Sequence, residues 1–152
     1  MFDHRTNGFT LLELTVTIAV LAIISTIAIP SFLSMIDGRR VNGVAVEIVG
    51  DLRLARTEAM RRGQEITFNI DNESHTIELG SDELKAHIYD RPNVSVSANP
   101  ETINIDPRHG HPDAALEVTV TGNSQRALIV SINQVGRIRV CGTAGGHPPC
   151  DD

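Results

Sequence analysis

The chain has 152 residues, 41% hydrophobic and 21% charged, with one Tyr, four Phe and no Trp. That is enough for one domain rather than two; its core must be aliphatic, which excludes a large enzyme with a deep aromatic-lined pocket. A formal charge of −6 excludes a surface coated overall in positive charge for nucleic acid. Every basic residue except Lys85 is Arg, so any local anion site here works with guanidinium forks rather than ammonium point charges.

Much of the hydrophobic total lies before residue 37. From Leu14 to Ile36 no side chain ionises. As a helix rising about 1.5 Å per residue, this run is roughly 35 Å long, enough to cross a hydrocarbon core of about 30 Å. Its Thr and Ser residues are scattered rather than gathered on one face, which marks a membrane-inserted helix. A cleaved secretory signal is the alternative, with Thr26-Ile27-Ala28 as its cleavage site. Against it, Pro30 follows directly, apolar residues continue to Ile36, and the leader MFDHRTNG sets Asp3 against Arg5. Glu13 stands at the edge of the run, where an ionised carboxylate costs roughly 2.5–3.5 kcal/mol at bilayer depth and less near the surface. Such an acid calls for a cation, and a helix N-terminus supplies only a partial charge. Two readings stay open: a full cationic partner elsewhere, or a helix-start residue in the headgroup layer.

Gly8-Phe9-Thr10-Leu11-Leu12-Glu13-Leu14, the apolar run and Ala28-Ile29-Pro30 closely resemble the N-terminus of type IV prepilins. That family pattern is a short polar leader, a Gly before the cut, an aromatic first mature residue and a Glu four residues later. The resemblance implies that prepilin peptidase cuts after Gly8 and that Phe9 becomes the N-methylated mature N-terminus. It also implies that Glu13 pairs with the Phe9 amine of a neighbouring subunit during assembly. Arg39 and Arg40 follow the apolar run on the side this resemblance makes periplasmic, so the positive-inside rule leans the other way. The orientation rests on the resemblance and on the cysteines.

Past the apolar run the helix is expected to continue. Val41, Ala45, Ile48, Leu52, Ala55 and Ala59 are spaced four, three, four, three and four apart, which is one helical face. Pro30, Gly38, Gly43 and Gly50 are weak points where bending or local unwinding is expected. Gly63, directly after Arg61-Arg62, reads as the stop, with cations facing the helix dipole. The period then changes to two. Ile66–Ile70 and Thr76–Leu79 flank Asp71-Asn72-Glu73-Ser74 as a hairpin, and strands are expected over Val94–Ala98, Ile103–Ile105, Leu116–Thr121, Ala127–Ile132 and Val135–Cys141. Pro107 to Asp113 is a loop. The fold class is α+β and pilin-like: a long N-terminal helix, membrane-spanning in its first half, packed on an antiparallel β-sheet domain. With the resemblance, residues 1–8 are expected to form the leader, 9–36 the transmembrane and assembly helix, 37–63 its amphipathic continuation, and 64–152 a periplasmic β-domain with a C-terminal disulfide loop.

The two cysteines, Cys141 and Cys150, are separated by Gly, His and a Pro-Pro pair. A membrane-anchored domain outside the cytoplasm permits a disulfide between them, worth about 2.5–3 kcal/mol in the chain-entropy model. A zinc site from Cys141, His147, Cys150 and a terminal Asp is the less favoured alternative. Just before Cys141 comes Gly136-Arg137-Ile138-Arg139-Val140. In a strand Arg137 and Arg139 share one face, with Cβ atoms about 6.6–6.8 Å apart, a spacing that grips successive phosphates or two acidic side chains. Alternating Arg is also what a solvated edge strand shows.

A helix closing in an Arg-rich turn, a β-domain and a late Gly-Arg-x-Arg segment beside a cysteine pair resemble the GspH/FimT-like minor pilins. Gly136, Arg137 and Arg139 match the Gly-Arg-x-Arg segment of FimT-like members, and the resemblance implies binding of DNA during natural transformation. The alternative it leaves is a structural or priming subunit of a pilus, or of the related pseudopilus of type II secretion. Two phosphate contacts give a log–log salt slope of about −1.8 on B-DNA, so useful retention needs Arg126, Arg108 or several subunits on one DNA molecule. Arg53, Arg56, Arg61 and Arg62 are expected to form a solvated face paired through Glu58. His109 and His111 are expected to be surface residues. No Ser/His/Asp set, phosphate loop or paired-carboxylate pocket is present, so neither enzyme activity, cofactor nor metal is expected. The expected partners are other pilin subunits, prepilin peptidase, inner-membrane lipid before assembly, and DNA. The expected location is the inner membrane, then the pilus at the cell surface.

Overall fold

The computed structural model describes residues 9–89 and 91–150; the expected leader and its Gly8 lie outside the described residues. The chain divides into two compact units, the first ending at Met35 and the second starting at Ile36. Helix α1 (Leu11–Arg62) contributes to both.

In the first unit the Thr10 hydroxyl accepts the Glu13 N–H at 3.2 Å. Thr10 is thus the N-cap and Glu13 stands three residues on, in the first turn, where the helix dipole favours an acid. Along the apolar run, the hydroxyls of Thr15, Thr17, Ser25 and Thr26 donate to carbonyls three or four residues back at 2.7–2.8 Å. Their polar atoms are satisfied within the helix, as a segment in hydrocarbon requires. The large apolar side chains stand exposed all round, Ile27 at 75%, and the helix is long and apolar enough to cross a membrane.

The helix is unbroken through Pro30, Gly38, Gly43 and Gly50, so the expected local unwinding does not occur. Proline already holds a helical φ and forfeits one amide bond. At Gly43 the missing side chain makes a seat: a Cβ there would lie 2.8 Å from Arg91 Nη1, and at Gly38 it would lie 3.3 Å from Arg126 Cδ. Arg91 reaches across Gly43 to Glu47, so loop arginines pack where the sequence alone reads weakness.

Eight strands follow: β1 (Ile66–Ile70), β2 (Ser74–Leu79), β3 (Asp82–Ile88), β4 (Val94–Asn99), β5 (Thr102–Ile105), β6 (Leu116–Gly122), β7 (Ala127–Ile132) and β8 (Ile138–Gly142). They form two four-stranded sheets, ordered β3-β2-β1-β5 and β4-β6-β7-β8, antiparallel throughout. The β1–β2 turn is closed by the Asp71 carboxylate, which accepts the Glu73 and Ser74 amides at 2.7 and 2.6 Å. Three elements differ from expectation. Strand β2 starts at Ser74, two residues earlier than expected, because Ser74 pairs with Ile88 of β3. Strand β3 is additional: it is an edge strand with a mostly exposed surface, so its Asp-Glu-Leu-Lys-Ala-His-Ile sequence lacks the alternation that a half-buried strand imposes. Strand β8 begins only at Ile138, leaving Val135, Gly136 and Arg137 in the preceding turn.

The expected helix face is the core. Val41, Val44, Ala45, Ile48, Leu52, Ala55 and Ala59 cluster with inward residues of both sheets, among them Phe68, Ile103, Val118 and Val130, all essentially inaccessible. Within this aliphatic setting three polar groups are buried: Asp37, Asp51 and His75. Asp37 accepts the Asn123 and Ser124 amides at 3.2 and 2.7 Å and the Ser124 hydroxyl. The hydroxyl bond above all holds its carboxyl below the usual carboxylate range. Asp51 takes His75 Nε2 at 2.6 Å and the Lys85 ammonium. Burial pushes the Asp51 carboxyl up, but Lys85 and His75 outweigh it and leave it lowered. Since the ionised Asp51 only accepts, Nε2 carries the proton and Nδ1 accepts from the Tyr89 hydroxyl at 2.8 Å. Burial holds His75 below its ordinary pKa, against the pull of Asp51.

All three shifts have one sign. A depressed carboxyl stabilises the fold above its unfolded pKa, about 3.9, and loses that as pH falls through the folded value; a depressed imidazole does the same below about 6.5. The denaturation midpoint should therefore fall as pH drops from 7 towards 4. Asp51→Ala, which strands the buried His75 N–H, should cost about 2 kcal/mol at pH 7 in a chemical-denaturation series. A midpoint flat across that pH range, or a neutral Asp51→Ala, would remove the role given to this network.

Candidate functional site

The Gly-Arg-x-Arg segment sits where β7 turns into β8. Asn133 opens the turn: its carbonyl accepts the Gly136 N–H at 2.7 Å, and its side-chain Oδ1 accepts the Arg137 N–H at 2.8 Å. Gly136 has φ +78°, a conformation that favours glycine. A Cβ at this position would lie 2.6 Å from the Arg56 guanidinium carbon. The turn is a seat for that side chain. Arg56 Nη1 donates to the Gly136 carbonyl at 2.5 Å and Nε to the Gly110 carbonyl at 2.7 Å, so one helix residue holds two loops of the second unit.

This corrects the expectation of a single solvated arginine face. Arg61 and Arg62 do pair with Glu58, at 2.7 and 2.6 Å, and with Arg61 first these cations hold the Glu58 carboxyl down at about 2. Arg56 instead turns inward to backbone carbonyls. A helix period cannot tell which arginine meets a loop 54 or 80 residues away.

Arg137 and Arg139 are both exposed, and both line an open groove of about 680 Å³. Because Arg137 lies in the turn, the strand spacing expected between the two does not apply. The groove nevertheless brings them together. It is completed by Glu117, Ile129, Ser131, Val140, Pro148, Pro149 and the two cysteines. Arg139 stands opposite Ser131, and Ser131 opposite Glu117, so these three form one row across β8, β7 and β6. Glu117 and the proline wall are members that the sequence alone does not single out; only the register puts them beside the arginines. Arg108 and Arg126, the supplementary cations considered from sequence, are not among its lining residues.

Cys141 and Cys150 are joined as a disulfide, which takes both sulfurs out of any zinc site. The Gly142 N–H also donates to the Pro148 carbonyl at 2.9 Å, tying the tail to β8 and forming the groove's wall. His147 Nε2 lies 3.0 Å from Asn42 Oδ1. Among the described residues no group of three or more potential metal ligands stands together. His109 is 70% exposed, 3.6 Å from Asp106, and its ring is 5.5 Å from that of His111. Glu13, at the other end of the chain, is exposed in the first turn of α1 with Phe9 just before it.

A family model described as type II transport protein GspH matches residues 44–136. A second, described as the prokaryotic N-terminal methylation motif, matches residues 3–29. The first match ends at Gly136, so Arg137 and Arg139 lie beyond it. Two crystal structures of the type IV minor pilin FimU from Pseudomonas aeruginosa strain PAO1 share the fold. In space group P21 the identity is 16% and the TM-score 0.61, over 72% of this chain and 95% of that one. In space group P65 the values are 18% and 0.56, over 70% and 98%. No curated protein matches the chain.

Gly136→Ala should force the turn out of the left-handed region and push Arg56 off its carbonyl, destabilising the chain by about 2 kcal/mol. Hydrogen exchange should then accelerate at Gly136 and Arg137. Unchanged stability and protection would sever the link drawn between Gly136 and Arg56.

Proposed function

The chain belongs to the GspH family of type II transport proteins, and from that premise we propose that it is a minor pilin-type subunit that binds DNA through Arg137 and Arg139. In this reading prepilin peptidase cuts after Gly8 and Phe9 is methylated. The apolar half of α1 holds the subunit in the inner membrane, with the β-domain on the periplasmic side, until it joins other pilin subunits. Phe9 then offers its amine to Glu13 of a neighbour. In a low-dielectric setting that pairing relieves an otherwise uncompensated acid, so it favours docking in one register. The subunit works by assembling and binding; no catalysis is assigned to it.

The observation that carries the DNA reading is the pair of exposed arginines in one groove. Among the described residues the ion pairs of this unit are made by Arg61, Arg62, Lys85, Arg91 and histidines, which leaves Arg137 and Arg139 outside every one of them. Two guanidinium forks with no acid partner among the described residues are available to phosphate oxygens. The Asn133 turn and the Arg56 clamp fix the backbone at Gly136 and Arg137 beforehand, so binding need not order the turn itself. The second reading is a structural or priming subunit, or a type II pseudopilin, with no DNA role. The family description and the end of the match at Gly136 favour it.

The two readings separate in a titration of the chain in detergent micelles with duplex DNA at low salt. Arg137→Ala/Arg139→Ala should weaken binding at least about tenfold, the loss of two charge-assisted contacts, with the denaturation midpoint unchanged. Absence of binding, or binding indifferent to both substitutions, would leave the structural reading.

A further inference from the structure

The groove is more than its two arginines, and a duplex backbone accounts for only part of it. Phosphates docked on Arg137 and Arg139 would leave the apolar side chains of Ile129, Pro148 and Pro149 unused and would face the carboxylate of Glu117. A ligand that uses all three features has an anion at one end, a flat apolar body, and a hydrogen-bond donor at the other end. We infer that the groove takes one nucleotide of single-stranded DNA, with its phosphate on Arg137 and Arg139, its base against the proline wall, and an exocyclic amine on Glu117.

The register supports this arrangement. Arg139, Ser131 and Glu117 lie in one row across three adjacent strands. With neighbouring strands about 4.8 Å apart, the row spans about 10 Å, the scale of a nucleotide from its phosphate to the far edge of its base. Ser131 is the small middle member, so nothing bulky divides the acid from the arginine. The wall is fixed by the Cys141–Cys150 disulfide and by the Gly142–Pro148 hydrogen bond, which keep the two prolines beside β8. A base paired inside a duplex cannot enter such a groove without being flipped out of the stack, whereas a single strand offers its bases without that cost.

A carboxylate accepts from an amine and repels a carbonyl. Cytosine presents an amine where thymine presents a carbonyl oxygen. The groove should therefore prefer cytosine to thymine, and Glu117 should set that preference while Arg137 and Arg139 set the affinity. The inference rests on the reading of this groove as a DNA site, but its signature is different, because arginines bound to the phosphate do not distinguish the two bases.

The test uses the full chain in detergent micelles at neutral pH and low salt. The ligands are labelled oligo-dC and oligo-dT of equal length and a duplex of that length. Oligo-dC should bind about fivefold more tightly than oligo-dT, and more tightly than the duplex. Glu117→Ala, at an exposed position, should abolish the cytosine preference, while Arg137→Ala/Arg139→Ala should weaken both oligonucleotides together. Equal binding of the two oligonucleotides, a preference that survives Glu117→Ala, or tighter binding of the duplex would each overturn the inference. If arginine-dependent binding persists in those cases, the DNA reading itself stands. If neither the oligonucleotides nor the duplex bind, both fall.

Discussion

Burial of one face of α1 is the constraint on which the second unit depends. Val41, Val44, Ala45, Ile48, Leu52, Ala55 and Ala59 join a core to which both sheets contribute, and no aromatic cluster could substitute for them in a chain with one Tyr and no Trp. With that face fixed, the charged residues beside it become fasteners. Asp37 closes the turn between β6 and β7, Asp51 holds β2 and β3 through His75 and Lys85, and Arg56 holds the turns at Gly110 and Gly136. Each charge meets backbone groups or an opposite charge, which is the condition for keeping it in an aliphatic interior.

What was legible in the sequence follows from where periodicity is strong. The core face of α1 showed at helical spacing, and β6 and β7 alternate between buried and less buried positions because one side of each faces the core. Strand β3 carries Asp, Glu, Lys and His along an exposed edge, so its pairing with β2 writes no alternation into the sequence. The start of β8 was misplaced for a different reason. Gly136 and Arg137 fit the pattern of a strand, but the Asn133 turn and the clamp from Arg56, 80 residues earlier in the chain, hold them outside β8. Arg56 in turn could not be told from Arg53 or Arg61 by position on the helix. Long-range hydrogen bonds from side chain to backbone leave no local signature.

The candidate site divides in the same way. Arg137, Arg139 and the cysteine pair were visible because they are close in sequence. Glu117 was not, because strand register is what sets it in their row. The net charge of −6 therefore describes the whole chain and not this groove, where two guanidiniums face one carboxylate among the described residues. Such local excess gives weak, salt-sensitive attraction for an anion rather than the broad electrostatic hold of a basic surface. Several such grooves engaging one DNA molecule would add their contacts without any one of them being strong.

In the proposed function everything downstream depends on the membrane end, because cleavage after Gly8 is what frees the Phe9 amine for Glu13 of a neighbour. The most direct measurement is the intact mass and N-terminal sequence of the chain recovered from cells that contain a prepilin peptidase. The account predicts loss of residues 1–8 and a first residue Phe9 bearing a methyl group, with Gly8 replacement leaving the full mass. A chain cut after Ala28, or one still whole beside an active peptidase, would contradict it and return the apolar run to an ordinary export signal or a simple anchor.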